Sequence, residues 1–188
     1  MKKLFDTAQE APDSVIMAGD EASLYLQATL KVVWHAKGQT PMMRLHPGRE
    51  STHFYGGLDL KTGRETTLRS PIMNAATSAL FLLRLLAAYP GVPILLFWDR
   101  APWHRGAAIR QVLEEHPRLE IIYYPAGSPD LNPQEHVWKA TRNAISHNHR
   151  HRKLDQLADA FEQHLTSTVF PCSLLDQHDY PRLCAMFN

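Results

Sequence analysis

Three short apolar runs along the chain have the length and composition of buried β-strands. The first two end in a carboxylate, Asp20 and Asp99, and Glu21 directly follows the first of these. The run before Asp99 is continuously apolar, which is typical of a central strand covered on both faces of a sheet. The predicted strands cover residues 14–20, 93–99 and 119–124.

Between the first two runs the pattern changes to alternating and turn-forming residues. Residues 52–68 carry two β-rich stretches around a Lys-Thr-Gly-Arg turn, which predicts a hairpin with its turn at Gly63. Residues 30–34 are predicted to add an edge strand, and the chain from there to Glu50 has the composition of a loop-rich insertion.

Helical periodicity accounts for most of the remaining chain. Asn74 is a suitable N-cap for a helix that reaches Ala88, where Tyr-Pro-Gly ends it. Further helices are predicted over residues 107–116, 132–146 and 153–167. The order of elements is strand, hairpin, helix, strand, helix, strand, helix, helix. It predicts an α/β fold, in which an antiparallel hairpin portion and parallel strands form one mixed sheet with helices on both faces.

Length and composition favour a single globular domain. The 188 residues are 44% hydrophobic and 21% charged, and the longest apolar runs are far shorter than the roughly 20 residues of a membrane span. Two cysteines are too few for a disulfide framework, and the N-terminus lacks the apolar segment of a secretory signal. We therefore expect a cytoplasmic protein without a membrane partner, with a domain over residues 14–170, an N-terminal stub (1–13) and a C-terminal tail (171–188).

Positive charge is concentrated in two blocks, although the formal net charge is only +1. Residues 22–49 and 136–154 contain no Asp or Glu, and each block contains several Lys or Arg. Such a block is either a solvated surface or a surface that contacts nucleic-acid phosphates. The candidate DNA contacts in and beside these blocks are Lys37, Arg100, His104, Lys139, Arg142, Arg150, Arg152 and Lys153. For His104, a structural role in a turn is the alternative.

Three carboxylates are the candidate catalytic and metal-binding residues: Asp20, Asp99 and Glu135. Right-handed crossovers place the strands ending at Asp20 and Asp99 side by side, and open α/β sheets carry their sites at this edge. Three carboxylates within ~4 Å would repel by roughly 4 kcal/mol per ionised pair, so a divalent cation is expected among them. All-oxygen ligation suits Mg²⁺ or Mn²⁺, and two such ions can promote displacement at phosphorus. Singly, the aspartates could be turn residues, and Glu135 could complete a capping box with Asn132.

Several motifs resemble one family, the DDE-type transposases of bacterial insertion sequences in the mariner-like superfamily. Residues 124–138 read Y-P-A-G-S-P-D-L-N-P-Q-E-H-V-W, which is similar to the family's S-P-D-L-N-P-x-E-x-x-W block. Residues 97–104, F-W-D-R-A-P-W-H, resemble its D-N-A-x-x-H segment, and residues 34–41 resemble W-x-x-K-G-x-x-P. Asp20 and Glu21 resemble its first D-E pair. The likeness extends from about Ser14 to the tail.

The resemblance implies an RNase H-like catalytic domain that cleaves transposon ends and transfers strands, with two Mg²⁺ or Mn²⁺ ions held by the three carboxylates. It also implies DNA as partner, a homodimer that pairs two ends, and a helix-turn-helix module for end recognition, which we expect to be missing from this chain. Arg100 stands where the family has Asn, and Ala126-Gly127 where it commonly has an aromatic residue.

A non-catalytic DNA-binding or regulatory remnant is the alternative function, and a nuclease acting on RNA–DNA hybrids is a third. Histidines 147, 149 and 151 suggest zinc only weakly.

Overall fold

The structure is a computed structural model that describes residues 14–27, 32, 37–38, 50–127 and 132–170. The N-terminal stub, the C-terminal tail and, apart from Val32, the predicted edge strand lie outside the described residues. Five strands are described: β1 (Val15–Tyr25), β2 (Ser51–Asp59), β3 (Glu65–Ser70), β4 (Ile94–Trp98) and β5 (Leu119–Tyr123).

The described ranges also contain four α-helices, which alternate with the later strands as the periodicity predicted. They are α1 (Ala75–Ala88), α2 (Ala107–Glu115), α3 (Gln134–Thr141) and α4 (Leu154–Ser167). Asn74 caps α1, because its side-chain oxygen accepts the Thr77 backbone N–H at 2.9 Å. A π-helical turn, Arg142–Ser146, extends α3 to the predicted end of that helix. None of the helices within the described residues is long and apolar enough to cross a membrane.

The five strands form one mixed sheet in the order β3-β2-β1-β4-β5. The hairpin strands β2 and β3 are antiparallel to each other, and β2 is antiparallel to β1. On the other side β1, β4 and β5 run parallel, with Val15 opposite Ile94 and Ile94 opposite Leu119. The predicted α/β fold class, a hairpin portion joined to parallel strands, is confirmed.

Strand β1 is longer than predicted. The sequence suggested that it ends at Asp20, but it continues to Tyr25 and stays paired with β2 along this length. Its parallel pairing with β4 stops earlier, at Ala18 opposite Phe97. The apolar run therefore marks the part of β1 that has a strand on both sides. The five residues after Asp20 form an extension with one described neighbour.

Helices cover both faces of the sheet, each over its own hydrophobic core. On one face α3 and α4 pack on β1 and β2, and the largest buried side chains include Phe54, Trp138 and Phe161. On the other face α1 and α2 pack on β1, β4 and β5 around Phe81 and Trp98. Each face buries several aromatic side chains, and burying one such side chain contributes about 1.5–3 kcal/mol. These two cores fix the sheet edge at which the polar residues gather.

Candidate active site

The carboxyl edge of the parallel strands opens into a cleft of about 370 Å³. Asp20 and Asp99 each lie two residues beyond the last parallel pair, Ala18 opposite Phe97, so both reach the same edge. Glu135, from the first turn of α3, lines the same cleft. All three carboxylates singled out in the sequence thus line one cleft, although, contrary to the expectation from the sequence, their ligand atoms do not all lie within 4.8 Å of one another. The other lining residues are Arg100, Ala101, Tyr124, Pro125, Ala126, Gly127 and Asn132.

Asp20 lies in the most protected position of the three. Its pKa is raised to about 7, mainly by burial and in smaller part by the negative charges of Glu21, Glu135 and Asp99, while a backbone hydrogen bond at Glu21 acts in the opposite direction. The indole N–H of Trp138 donates to Asp20 Oδ2 at 3.2 Å. The raised pKa reflects a carboxylate that lacks a compensating positive charge at this depth.

Asp99 is more exposed and more strongly hydrogen-bonded. Its Oδ1 accepts the Ala101 backbone N–H at 3.0 Å and lies 2.7 Å from His104 Nδ1. The bond with His104 is the main cause of a lowered pKa of Asp99, since partial burial acts in the opposite direction. The pKa values of the two aspartates are thus shifted in opposite directions. The pKa of Asp99 is lowered, which favours its ionised form, whereas the pKa of Asp20 is raised, which favours its protonated form.

Glu135 projects from an anchored helix start. Asn132 Oδ1 accepts the Gln134 backbone N–H at 3.2 Å, and the Asn132 amide donates to Gly19 O on β1 at 3.4 Å. Asn132 thus satisfies the helix start through Gln134, and the Glu135 side chain is exposed along the cleft. This arrangement favours the site interpretation of Glu135 over a capping box.

Gly56 allows α3 to lie close to the sheet next to Asp20. It pairs directly with Asp20 across β1 and β2. A Cβ at this position would overlap the side chains of Gln134 and Glu65 and lie 2.6 Å from Trp138 Cη2. Gln134 Nε2 donates to Glu65 Oε1 at 2.7 Å in the space that the missing Cβ leaves. The glycine therefore sets the distance between the helix that carries Glu135 and the strand that carries Asp20.

His104 does not fit its interpretation as a phosphate contact. Its side chain has 0% exposure, and its two ring nitrogens lie against Asp99 and Glu21. Burial lowers the pKa of His104, but hydrogen bonds to these carboxylates outweigh it and raise the pKa to about 9. The structural alternative is the better description, with a carboxylate on each side of the ring. Sequence reasoning assigned Glu21 no role of its own and missed this contact.

Arg100 is the candidate DNA contact placed at the cleft itself, where its Nε donates to Tyr124 O at 2.9 Å. The remaining candidates lie on the surface: Lys37, Lys139, Arg150, Arg152 and Lys153 are exposed, and Arg142 is half-buried. Their roles as DNA contacts remain predictions.

The histidine tract gains no support as a zinc site. Within the described ranges, one group of at least three metal-ligand side chains has its ligand atoms within 4.8 Å of one another, namely Glu21, Asp99 and His104. His149 and His151 contact each other through their rings, with centroids 5.5 Å apart. His149 is buried near the end of the π-helical turn. A packing role for the tract is the simpler interpretation.

A mixed sheet of this order, flanked on both faces and carrying carboxylates at the edge of its parallel strands, is the RNase H-like architecture of transposase catalytic domains. The sequence model of the family described as DDE superfamily endonuclease matches residues 15–158. Since this match covers more than half of the chain, the chain belongs to that family.

Two curated relatives show similar sequences. An uncharacterized 39 kDa protein of insertion element IS630 from Shigella sonnei is 29% identical over 174 residues, which cover 90% of this chain and 49% of the relative. The Tcb2 transposase of Caenorhabditis briggsae is 28% identical over 91 residues, covering 46% of this chain and 31% of the relative. The chain spans half or less of the length of these relatives.

Solved structures of the mariner transposase Mos1 share the fold. A Mos1 paired-end complex with the left transposon end matches with a TM-score of 0.67 at 19% identity, covering 99% of this chain and 58% of that one. The Mos1 catalytic domain matches with a TM-score of 0.58 at 17% identity, covering 89% and 78%. These likenesses confirm the predicted RNase H-like fold.

Proposed function

We propose that this chain is a catalytically competent transposase domain that cleaves DNA strands and transfers the freed 3′-ends, using Asp20, Asp99 and Glu135. The observation that carries the proposal is the convergence of these side chains, from β1, the end of β4 and α3, on one cleft. Membership of the DDE superfamily endonucleases supports the same reaction class. The nicking experiment below also tests the alternative of a non-catalytic remnant.

The donor set of the cleft fits a hard divalent cation. Its candidate ligands are carboxylate oxygens, which Mg²⁺ and Mn²⁺ prefer, and the pKa of Asp20 is raised by burial and by neighbouring carboxylates. We propose that Asp20, Asp99 and Glu135 hold two such ions. When bound, such ions lower the pKa of an attacking water or 3′-hydroxyl and neutralise charge at the leaving oxygen. Mos1 complexes with Mn and with Mg support the same choice of metal.

The protein's own groups orient the carboxylates and the DNA. Trp138 donates to one oxygen of Asp20, and Ala101 and His104 engage Oδ1 of Asp99. Both contacts of Asp99 are on Oδ1, which leaves its Oδ2 available to a ligand. Arg100, exposed at the rim of the cleft, is proposed to pair with a phosphate of the scissile strand. These groups position substrate and ligands without acting as acids or bases themselves.

DNA is the proposed partner, in the nucleoid. We propose that the exposed Lys and Arg side chains of the second basic block, residues 136–154, bind it outside the cleft. Lys139 lies on α3, and Arg150, Arg152 and Lys153 lie between α3 and α4, so these residues are proposed to contact backbone phosphates next to the strand held in the cleft without reading bases. A homodimer that brings two ends together is proposed by analogy with the Mos1 paired-end complex. Recognition of specific transposon ends is proposed to come from a separate module.

Nicking of supercoiled plasmid in Mn²⁺ or Mg²⁺ tests the proposed activity. We expect the chain to convert supercoiled plasmid to open circles, and Asp20→Asn, Asp99→Asn and Glu135→Gln each to abolish conversion. DNA binding, measured by fluorescence anisotropy with a labelled duplex, should persist in all three. Glu114→Gln is the matched control, because Glu114 is an exposed carboxylate on α2.

The outcomes separate the competing functions. Normal nicking by Asp99→Asn contradicts the assignment of the site. Tight DNA binding without metal-dependent nicking by the unmodified chain identifies a non-catalytic remnant. Cleavage of RNA–DNA hybrids in preference to duplex DNA identifies a nuclease of the same fold with a different substrate.

A further inference from the structure

We propose that His104 and Glu21 are positioning residues that fix the carboxylate of Asp99 relative to Asp20, so that the two aspartates can share a metal ion. The inference rests on the proposed function, because it assigns a purpose to groups behind the proposed ligands. Both side chains lie behind the cleft rather than along it, since neither belongs to the residues that line it.

The Asp99 carboxylate is held by two contacts on one of its oxygens. Asp99 follows the last residue of β4, where the sheet no longer constrains the chain. Its Oδ1 is engaged by the Ala101 backbone N–H at 3.0 Å and by His104 Nδ1 at 2.7 Å. His104 Nδ1 also lies 3.1 Å from the Asp99 carbonyl oxygen. Two donors on one oxygen fix the rotation of the carboxylate and leave its second oxygen for the cleft.

His104 is itself fixed by its surroundings. A short 3-10 turn, Pro102–His104, folds the histidine back beneath β4. Its imidazole stacks on the indole of Trp98 with ring centroids 3.6 Å apart and an interplanar angle of 23°. The Tyr123 hydroxyl donates to its carbonyl oxygen at 2.9 Å. A fully buried ring held on a strand residue cannot rotate freely, so its direction is set by the core.

His104 also contacts Glu21, the residue next to Asp20 in β1. His104 Nε2 lies 2.8 Å from Glu21 Oε1, and Trp103 Nε1 donates to Glu21 Oε2 at 3.1 Å. Successive side chains of a strand point to opposite faces, so Asp20 meets Trp138 while Glu21 meets the turn after β4. Glu21, the residue next to Asp20, is thus connected to Asp99 through the His104 imidazole.

Glu21, Asp99 and His104 are also close enough to form a second candidate metal site, since their ligand atoms lie within 4.8 Å of one another. Both imidazole nitrogens, however, already lie 2.7–2.8 Å from carboxylate oxygens, which is hydrogen-bond distance. The His104 side chain is fully buried and does not line the cleft. An ion at this position would have to displace both hydrogen bonds, so the geometry favours positioning over direct ligation by His104.

Mn²⁺ titration calorimetry on variants of His104 tests the proposal. His104→Phe keeps an aromatic ring but removes both donors, and His104→Asn restores one, because the asparagine amide nitrogen is bonded to Cγ as Nδ1 is. His116→Phe is the control, since His116 ends α2 beside the start of β5, at the opposite end of the sheet. Circular dichroism and thermal unfolding in EDTA verify that each variant folds.

The expected result is a loss of Mn²⁺ affinity of about 10- to 100-fold in His104→Phe, with recovery in His104→Asn and no change in His116→Phe. The sign of the effect is diagnostic. An imidazole beside a cation site is either neutral or positively charged, so its removal adds no electrostatic repulsion against Mn²⁺, and weaker binding reports loss of positioning. Unchanged or tighter binding by folded His104→Phe overturns the proposal, as does failure of His104→Asn to recover.

Asp99→Asn in the same titration separates this inference from the function on which it rests. If Asp99→Asn loses Mn²⁺ binding while His104→Phe retains it, the metal site stands and only the positioning role is wrong. If Asp99→Asn binds Mn²⁺ as the unmodified chain does, the proposed function itself is wrong.

Discussion

Replacing Glu65 by glutamine should change how the stability of the protein depends on pH. Glu65 is buried at the start of β3, where its Oε1 accepts from Gln134 Nε2 at 2.7 Å. Burial raises its pKa well above 4.5, and hydrogen bonds from Gln134 and the Gly57 backbone only partly oppose the shift. Two buried atoms of the pair, Glu65 Oε2 and Gln134 Oε1, have no hydrogen-bond partner among the residues that the structure describes. A proton on Glu65 supplies the kind of donor that the Gln134 oxygen lacks.

The direction of this pH dependence follows from the number of protons that the folded and the unfolded chain bind. Above pH 4.5 an unfolded chain releases the Glu65 proton while the folded chain keeps it, so rising pH favours unfolding. For a carboxyl that stays protonated in the folded state, the lost stability between pH 5 and 7 reaches about 2.5 kcal/mol. Glutamine can make the same bond to Gln134 and does not titrate. The free energy of unfolding of Glu65→Gln should therefore lack this decrease between pH 5 and 7.

Urea unfolding of both chains at pH 5, 6 and 7 measures the effect. We expect the free energy of unfolding of Glu65→Gln to exceed that of the unmodified chain by an amount that grows with pH. The raised pKa of Asp20 acts in the same direction in both chains, so it cancels in the difference. Glu114→Gln, on the surface, should show no such growth. Parallel loss of stability in Glu65→Gln and the unmodified chain would refute a neutral Glu65.

Three further changes test other parts of the structure. Gly56→Ala places a methyl group against Gln134 and Trp138, and we expect a loss of about 1–3 kcal/mol in urea unfolding; full stability would contradict the close approach of α3. Asn74→Ala removes the acceptor at the start of α1 and should cost about 1 kcal/mol in the same assay, whereas Asn74→Asp should not. Trp138→Phe removes the donor to Asp20, which raises the pKa of that carboxyl further, so the onset of Mn²⁺-dependent nicking should move to higher pH. An unshifted profile would show that the indole bond does not act on the site.

Local patterns predicted the elements because each element carries its own signal. The apolar run before Asp99, the Lys-Thr-Gly-Arg turn and the Asn74 cap lie within single segments, and the structure has β4, the hairpin and α1 there. The extension of β1 was missed because Asp20 and Glu21 interrupt the apolar run. The alternation of buried Ala22 and Leu24 beyond them is the signal that could have revealed it.

The groups behind the carboxylates could not be predicted in the same way. His104 lies 83 residues from Glu21, and Trp138 lies 118 residues from Asp20, so neither contact leaves a periodic trace in the sequence. A general signal was present, since a buried indole N–H needs an acceptor and the site offered carboxylates. Which tryptophan meets which carboxylate depends on strand register and on the space left by Gly56, which only the folded sheet determines.

The most direct test of the central claim is an anomalous difference map from crystals of this chain grown with Mn²⁺. The account predicts density in the cleft within ligand distance of both Asp20 and Asp99. It also predicts loss of that density in crystals of Asp99→Asn. Manganese bound only between Glu21 and His104, or a well-ordered cleft that stays empty at saturating Mn²⁺, would contradict it.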